Sequence, residues 1–223
     1  MRCPATVTFA LALLPLIASG QSVTLDEGSF TIMRGSQRLG REDFTIRRTS
    51  DVIVANGTVT MADRQLFPAL RTNSAGHPLR YQMEIRRGAA VIQQLRGVIG
   101  RGRFSAQTKT PGGESSREYP IADDAVVLDD DVIHHYYFLA LALRAGDIPI
   151  VVPHRNAQLF VHVEKRGVER IEVGGISVEA THLVMTSHER GARDFWVDGQ
   201  GRVLKVSLGD QDIVATRDDP PGR

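Results

Sequence analysis

The chain has 223 residues, with 27 Lys and Arg against 26 Asp and Glu, 42% hydrophobic residues and 6% aromatic ones. That length can bury a core for one domain without a metal or disulfide staple, and such apolar content with so little net charge excludes a disordered chain. A formal charge of +1 is no basic excess, which argues against nucleic acid, or polyanions in general, as partners.

Residues 1–20 read MRCPATVTFALALLPLIASG. Arg2 is the only charge, an apolar run follows at 7–17, and Ala18-Ser19-Gly20 puts small residues before Gln21. This is the layout of a secretory signal peptide. The alternative is a membrane anchor, but the run is short for a hydrocarbon core of about 30 Å and Pro15 interrupts it. A periplasmic or secreted product is expected. No later stretch approaches the roughly 18 apolar residues of a spanning helix, so the mature chain is not expected to cross a membrane. Cys3 is the only cysteine and lies within the signal, leaving the mature chain without disulfides, thiolate catalysis or Cys-based metal sites. The organisation expected is a signal at 1–20, one β-rich domain at 21–216 and a frayed tail at 217–223.

Alternation with period two predicts strands at 29–33 and 42–48, with Phe30 and Ile32, then Phe44 and Ile46, on one face and Glu42 among the polar positions. Asn56-Gly57 lies between 51–55 and 58–62 and predicts a hairpin with a type I′ turn. Asn56-Gly57-Thr58 also matches a glycosylation acceptor, but the turn accounts for the same residues. Further strands are predicted at 79–86, 90–95, 103–108, 158–164, 169–173, 176–185, 194–197 and 202–208, with a short one at 212–215. Thr110-Pro-Gly-Gly-Glu-Ser-Ser116 predicts a mobile loop, and Arg166-Gly167 and Gly174-Gly175 predict turns.

Residues 129–145 (DDDVIHHYYFLALALRA) change period. They contain no Gly or Pro, and Val132, Ile133, Tyr136, Phe138, Leu139 and Leu143 recur at helical spacing. Asp129–Asp131 suit a helix N-terminus, Arg144 the C-terminus, and Gly146 a C-cap. A pair of strands is the alternative, since Tyr, Val and Ile also favour β structure. A helix this apolar needs protein on several sides. The fold class expected is therefore mainly β: a curved antiparallel sheet, an open or half barrel, wrapped around one main helix.

The chemistry-bearing residues are few. Asp131 and His135 stand four apart and could share a metal on one helix face, with His134 adjacent. The alternative is helix-start acids with His partners, and no metal or cofactor is assigned. No Gly-x-Ser-x-Gly elbow occurs. Gly97-Val-Ile-Gly-Arg-Gly102 is followed by a strand rather than a helix, which reads as a bulged hairpin and not a phosphate cradle. Tyr136, Tyr137 and Phe138 on the helix and Trp196 on a late strand are the candidate lining of an apolar cleft. The competing reading is that they fill the core.

Two stretches carry a resemblance: Gly40-Arg-Glu-Asp-Phe44, and Phe195-Trp-Val-Asp-Gly-Gln-Gly-Arg-Val-Leu-Lys-Val206. The second resembles a Trp-Val-Asp, turn, Gly-Arg-Val/Leu hairpin of secreted bacterial proteins of unknown function with a half-barrel fold. Those proteins are distantly similar to the outer-membrane lipoprotein carriers. The resemblance implies a periplasmic, unclosed barrel with helical cover and, by analogy with the carriers, a concavity for acyl chains. It implies no catalytic residue. The function expected is a non-enzymatic domain that binds an apolar, lipid-like ligand or an envelope partner protein. The alternatives are a hydrolase using Asp131, His134 or His135, and a structural envelope-assembly protein.

Overall fold

The computed structural model describes residues 22–222 apart from positions 145, 188 and 190. The expected signal lies outside the described residues. The rest forms one continuous sheet of fifteen strands. A first meander of antiparallel hairpins comprises β1 (Ser22–Arg34), β2 (Gln37–Thr49), β3 (Val52–Met61), β4 (Gln65–Asn73), β5 (Pro78–Arg87), β6 (Ala90–Gly100), β7 (Arg103–Thr110) and β8 (Gly113–Pro120). A second comprises β10 (Asp147–Val152), β11 (Ala157–Val173), β12 (Ile176–Thr186), β13 (Arg193–Val197), β14 (Val203–Leu208) and β15 (Ile213–Arg217). The two meanders join where β15 pairs with β1. The two-residue β9 (Val126–Val127) lies parallel to β10 at the far edge, opposite to edge strand β8, so the curved sheet is unclosed. No described helix is long and apolar enough to cross a membrane.

Alternation builds the core. Phe30 and Ile32, Phe44 and Ile46, Ile53 and Ala55, Leu66 and Leu70, and Tyr81, Met83 and Ile85 all point inward from successive strands. They meet Phe195, Val206 and Ala215 from the second meander. Inside the curve sit a short 3₁₀ turn, Ile133–His135, and helix α1, Tyr136–Leu141. Phe138 and Leu139 are fully buried there. The sheet-around-a-helix architecture is as expected, but the helix is six residues long rather than seventeen. The reason is visible at its start. Asp129 accepts from the Tyr81 hydroxyl, Asp130 from Arg155 and Asp131 from Arg64. Each acid is thus held by a different part of the fold, and none caps the helix.

Other expectations also give way to tertiary context. Asn56-Gly57 is not a turn: it lies within β3, paired across to β2 (Gly57 to Phe44). No strand is predicted at 65–73, yet β4 runs there through Pro68, whose ring lies beside Gly57. The expected turn at Arg166-Gly167 is a register shift inside the seventeen-residue β11. The expected loop at 110–116 is a tight turn that opens into β8. The tail does not fray at 217. Arg217 is buried in β15, and Asp218 accepts from Ser29 Oγ (2.7 Å) and Thr31 Oγ1 (2.6 Å) and pairs with Arg41.

Candidate functional site

The predicted Asp/His cluster divides. Asp131 is half-buried beside Arg64 at 3.0 Å, while His134 and His135 are buried in the core. His134 is fixed by Glu42, a residue placed from the sequence among the polar positions of its strand. It shares the inward side of β2 with Phe44 and Ile46, and none of its surface is exposed. Its carboxylate accepts from the Ile133 and His134 backbone N–H groups (2.7 and 2.8 Å) and from His134 Nδ1 (2.6 Å). Glu42 therefore caps the 3₁₀ turn from another strand, the task expected of the local aspartates.

The His134 ring stacks on Phe44 at 5.6 Å. Glycine makes this possible: a Cβ on Gly57 would lie 2.8 Å from His134 Cε1. On the other neighbour of Phe44, a Cβ on Gly28 would lie 2.8 Å from the Arg217 guanidinium. Arg217 in turn lies over Phe44 and holds Asp26 through both guanidinium ends (2.8 and 3.0 Å). Burial still pushes the Asp26 carboxyl above its ordinary range, against the pull of Arg217.

His135 Nδ1 accepts the Asp129 backbone N–H at 3.3 Å, and its ring meets Tyr81 edge-on. Burial first, and then His134, hold its pKa well below the ordinary imidazole value, so the ring is neutral. Tyr81 donates to Asp129 at 2.6 Å, and burial raises both pKa values. Among the described residues no three His, Cys, Asp or Glu side chains assemble as a metal-ligand set. The arrangement can organise the core, but it presents neither imidazole to a substrate.

The four aromatic candidates do not line one cleft. Tyr136 and Phe138 are core residues, with Tyr136 packed on Phe195 at 5.4 Å, and Tyr137 is half-buried. Trp196 follows Phe195 in β13 and so points to the opposite face, where it joins a separate cluster with Val173, Ala180 and Leu204. His182 stacks on it from β12 at 4.5 Å, and Lys205 lies over it from β14 at 4.7 Å. Its Nε1 donates to Glu169. Both faces of the indole are occupied by the protein itself.

The open concavity lies elsewhere, on the outward face of β3–β8. A twisted sheet that curves around its core along one diagonal is hollow outward along the other. A depression of about 720 Å³ spans β5–β8, and a second of about 470 Å³ spans β3–β6, with Arg80, Gln82 and Val98 in both linings. The strand register arranges this saddle in rows. One runs Val54, Arg71, Arg80, Val98, Ser105, Glu118, and the next Asn56, Ala69, Gln82, Arg96, Gln107, Ser116. The acids on this face have partners. Glu118 is held by Arg103 and Ser105, Glu84 by Arg86 and Gln94, and Glu114 by Lys109. Arg71, Arg80 and Arg96 form no ion pair among the described residues, although Arg71 and Arg80 face each other directly. The sequence signal for this site is partial: alternation puts Tyr81, Met83 and Ile85 of β5 on one face but places the exposed Leu79 with them, and it predicts no strand at β4 and a loop where β8 begins.

No protein-family model and no curated protein matches the sequence. Among solved structures, a beta-barrel-like protein of DUF1849, a domain of unknown function, from Brucella abortus matches with a TM-score of 0.57 and 10% identity. The match covers 88% of this chain and 98% of that one. A DUF1089 family protein from Pseudomonas aeruginosa matches with a TM-score of 0.44 and 14% identity, covering 73% and 87%. The DUF1849 likeness is one of fold alone, and it agrees with the half-barrel expected from the sequence.

Proposed function

We propose that this chain is an exported, non-enzymatic binding domain that meets its ligand or envelope partner on the outward saddle of β3–β8. One observation carries the reading. Arg71 and Arg80 are directly opposed on neighbouring strands in open depressions, with Arg96 diagonal to Arg80, and none of the three has a carboxylate partner among the described residues. Unpaired cations of like sign on facing strands weaken the sheet, so their retention is explained by something outside the chain. The site first expected, an apolar pocket between helix and sheet, is filled by Tyr136, Phe138 and Leu139, and an acyl chain there would have to displace α1. The helix is then core, and the saddle is the working surface.

The test is a hydrogen-exchange footprint of the exported chain with fractionated envelope glycan, lipid and protein. Protection of β3–β8 by any fraction is expected. Protection confined to α1 and β13, or a fluorescent fatty acid that loosens α1, would return the site to the interior and overturn the proposal. Recovery of the expressed chain in the cytoplasm with residues 1–20 attached would overturn its export.

A further inference from the structure

We infer that the saddle's ligand is an acidic glycan, a hydroxyl-rich chain bearing carboxylate or phosphate groups, laid across the strands; this rests on the reading of the saddle just given. Arg71 and Arg80 are directly opposed on neighbouring strands, and Arg96 is diagonal to Arg80. Planar guanidinium forks match the two oxygens of a carboxylate or phosphate, and a pair of them needs such an anion to offset their repulsion. In the row beside Arg71 and Arg80, Gln82 and Gln107 flank Arg96, and Asn56 stands at the β3 end. Their amides both donate and accept, as sugar hydroxyls require.

Other polymers fit less well. The two linings contain no aromatic residue, so a nucleic acid would find no platform on which to stack its bases. A peptide adds to a sheet through its edge, which in the saddle is β8 alone; across β3–β7, where Arg71, Arg80 and Arg96 stand, the backbone groups are already paired within the sheet on both sides. The half-buried Val54 and the exposed Val98 are separated in their row by Arg71 and Arg80, so an acyl chain laid along that row would bury two guanidinium groups. Six strands at about 4.8 Å spacing give a track of roughly 24 Å, which suits a chain rather than a single sugar. The near-zero net charge of the whole molecule argues against general polyanion binding. The excess here is local, and it selects a ligand whose charges are spaced by neutral hydroxyl groups.

The experiment is calorimetric titration of the exported chain at low salt. The probes are an oligogalacturonate, a phosphorylated oligosaccharide, a neutral maltooligosaccharide and single-stranded DNA of matched length, with hydrogen exchange read on each complex. One or both acidic sugars should bind and protect β3–β8, and the carboxylate and phosphate arms tell which anion is preferred. Affinity should fall roughly tenfold or more in Arg71→Gln or Arg80→Gln and should be unchanged in Arg170→Gln, on β11 in the other meander. Neutral sugar or DNA binding as tightly as the acidic sugars, or no sugar binding at all, overturns the inference. If acidic sugars fail while an envelope fraction still protects β3–β8, the glycan falls and the saddle stands. If an acidic sugar binds but protects another surface, the saddle falls as well.

Discussion

The same strands carry two opposite solutions to the problem of charge. On the inward side of β1–β5, Asp26 holds Arg217, Glu42 holds His134, and Tyr81 holds Asp129, all at 2.6–3.0 Å and away from solvent. On the outward side, one residue away along β5, Arg80 and Gln82 flank Tyr81 and face an open depression. Exposure alone does not make that difference; whether each charge has found its partner within the chain does. A buried charge left unpaired is costly, so the inward charges are paired, although the Nε2 atoms of His134 and His135 have no partner among the described residues. The outward set can stay incomplete because water serves until a ligand arrives.

The hardest strain on this contrast is to remove one inward partner. Arg217→Met would leave Asp26 buried without its counter-charge, and a loss of about 3–5 kcal/mol in urea unfolding is expected. A loss below about 1 kcal/mol would mean that the inward pairs are as dispensable as surface ones and would erase the distinction.

Acid should act on the same side. The His135 pKa is depressed in the fold from an ordinary 6.5, so the unfolded chain binds more protons. Stability from this group is complete above pH 6.5 and is lost as pH falls toward the depressed value. Asp26 and Asp129 are shifted upward. Their contribution has the opposite sign, favouring the fold below the ordinary carboxylate range and fading as pH rises through their raised values. Acidification from pH 7.5 to 5.0 should therefore reduce the stability that this histidine contributes, while the two carboxyls act in the opposite sense. Urea unfolding of His135→Gln at both pH values checks this, since a decline as steep as in the parent chain would assign the effect elsewhere.

How legible this was follows the range of the interactions. Local alternation found the inward faces of β1, β2 and β5, since period two is a property of neighbours. It could not find Glu42, whose partners are some ninety residues away in sequence. Nor could it find the role of Gly57, which looks like turn chemistry and instead provides room for the His134 ring. The helix was placed in the right region and made too long because Asp129–Asp131 fit a capping pattern, while their actual partners, Tyr81, Arg155 and Arg64, come from elsewhere in the fold. Trp196 was assigned to the helix side, and only the register of β13 shows it facing away. The saddle needs the order of six strands before its rows exist at all.

The smallest effect is the most discriminating, because the outward face is itself divided. Around Trp196 the chain has closed its own surface: Lys205 covers the indole, and His182 is held by Asp194 at 2.7 Å. Lys205→Gln should therefore cost roughly 0.5–1 kcal/mol of stability through the lost cation–π contact. Arg80→Gln removes a like-charge opposition to Arg71 and should gain roughly 0.2–1 kcal/mol. Thermal melts of the two variants, run together at low salt, should shift in opposite directions. A cost for Arg80→Gln equal to that for Lys205→Gln would mean that Arg80 already serves the fold, leaving the saddle no unmet charge to offer a ligand.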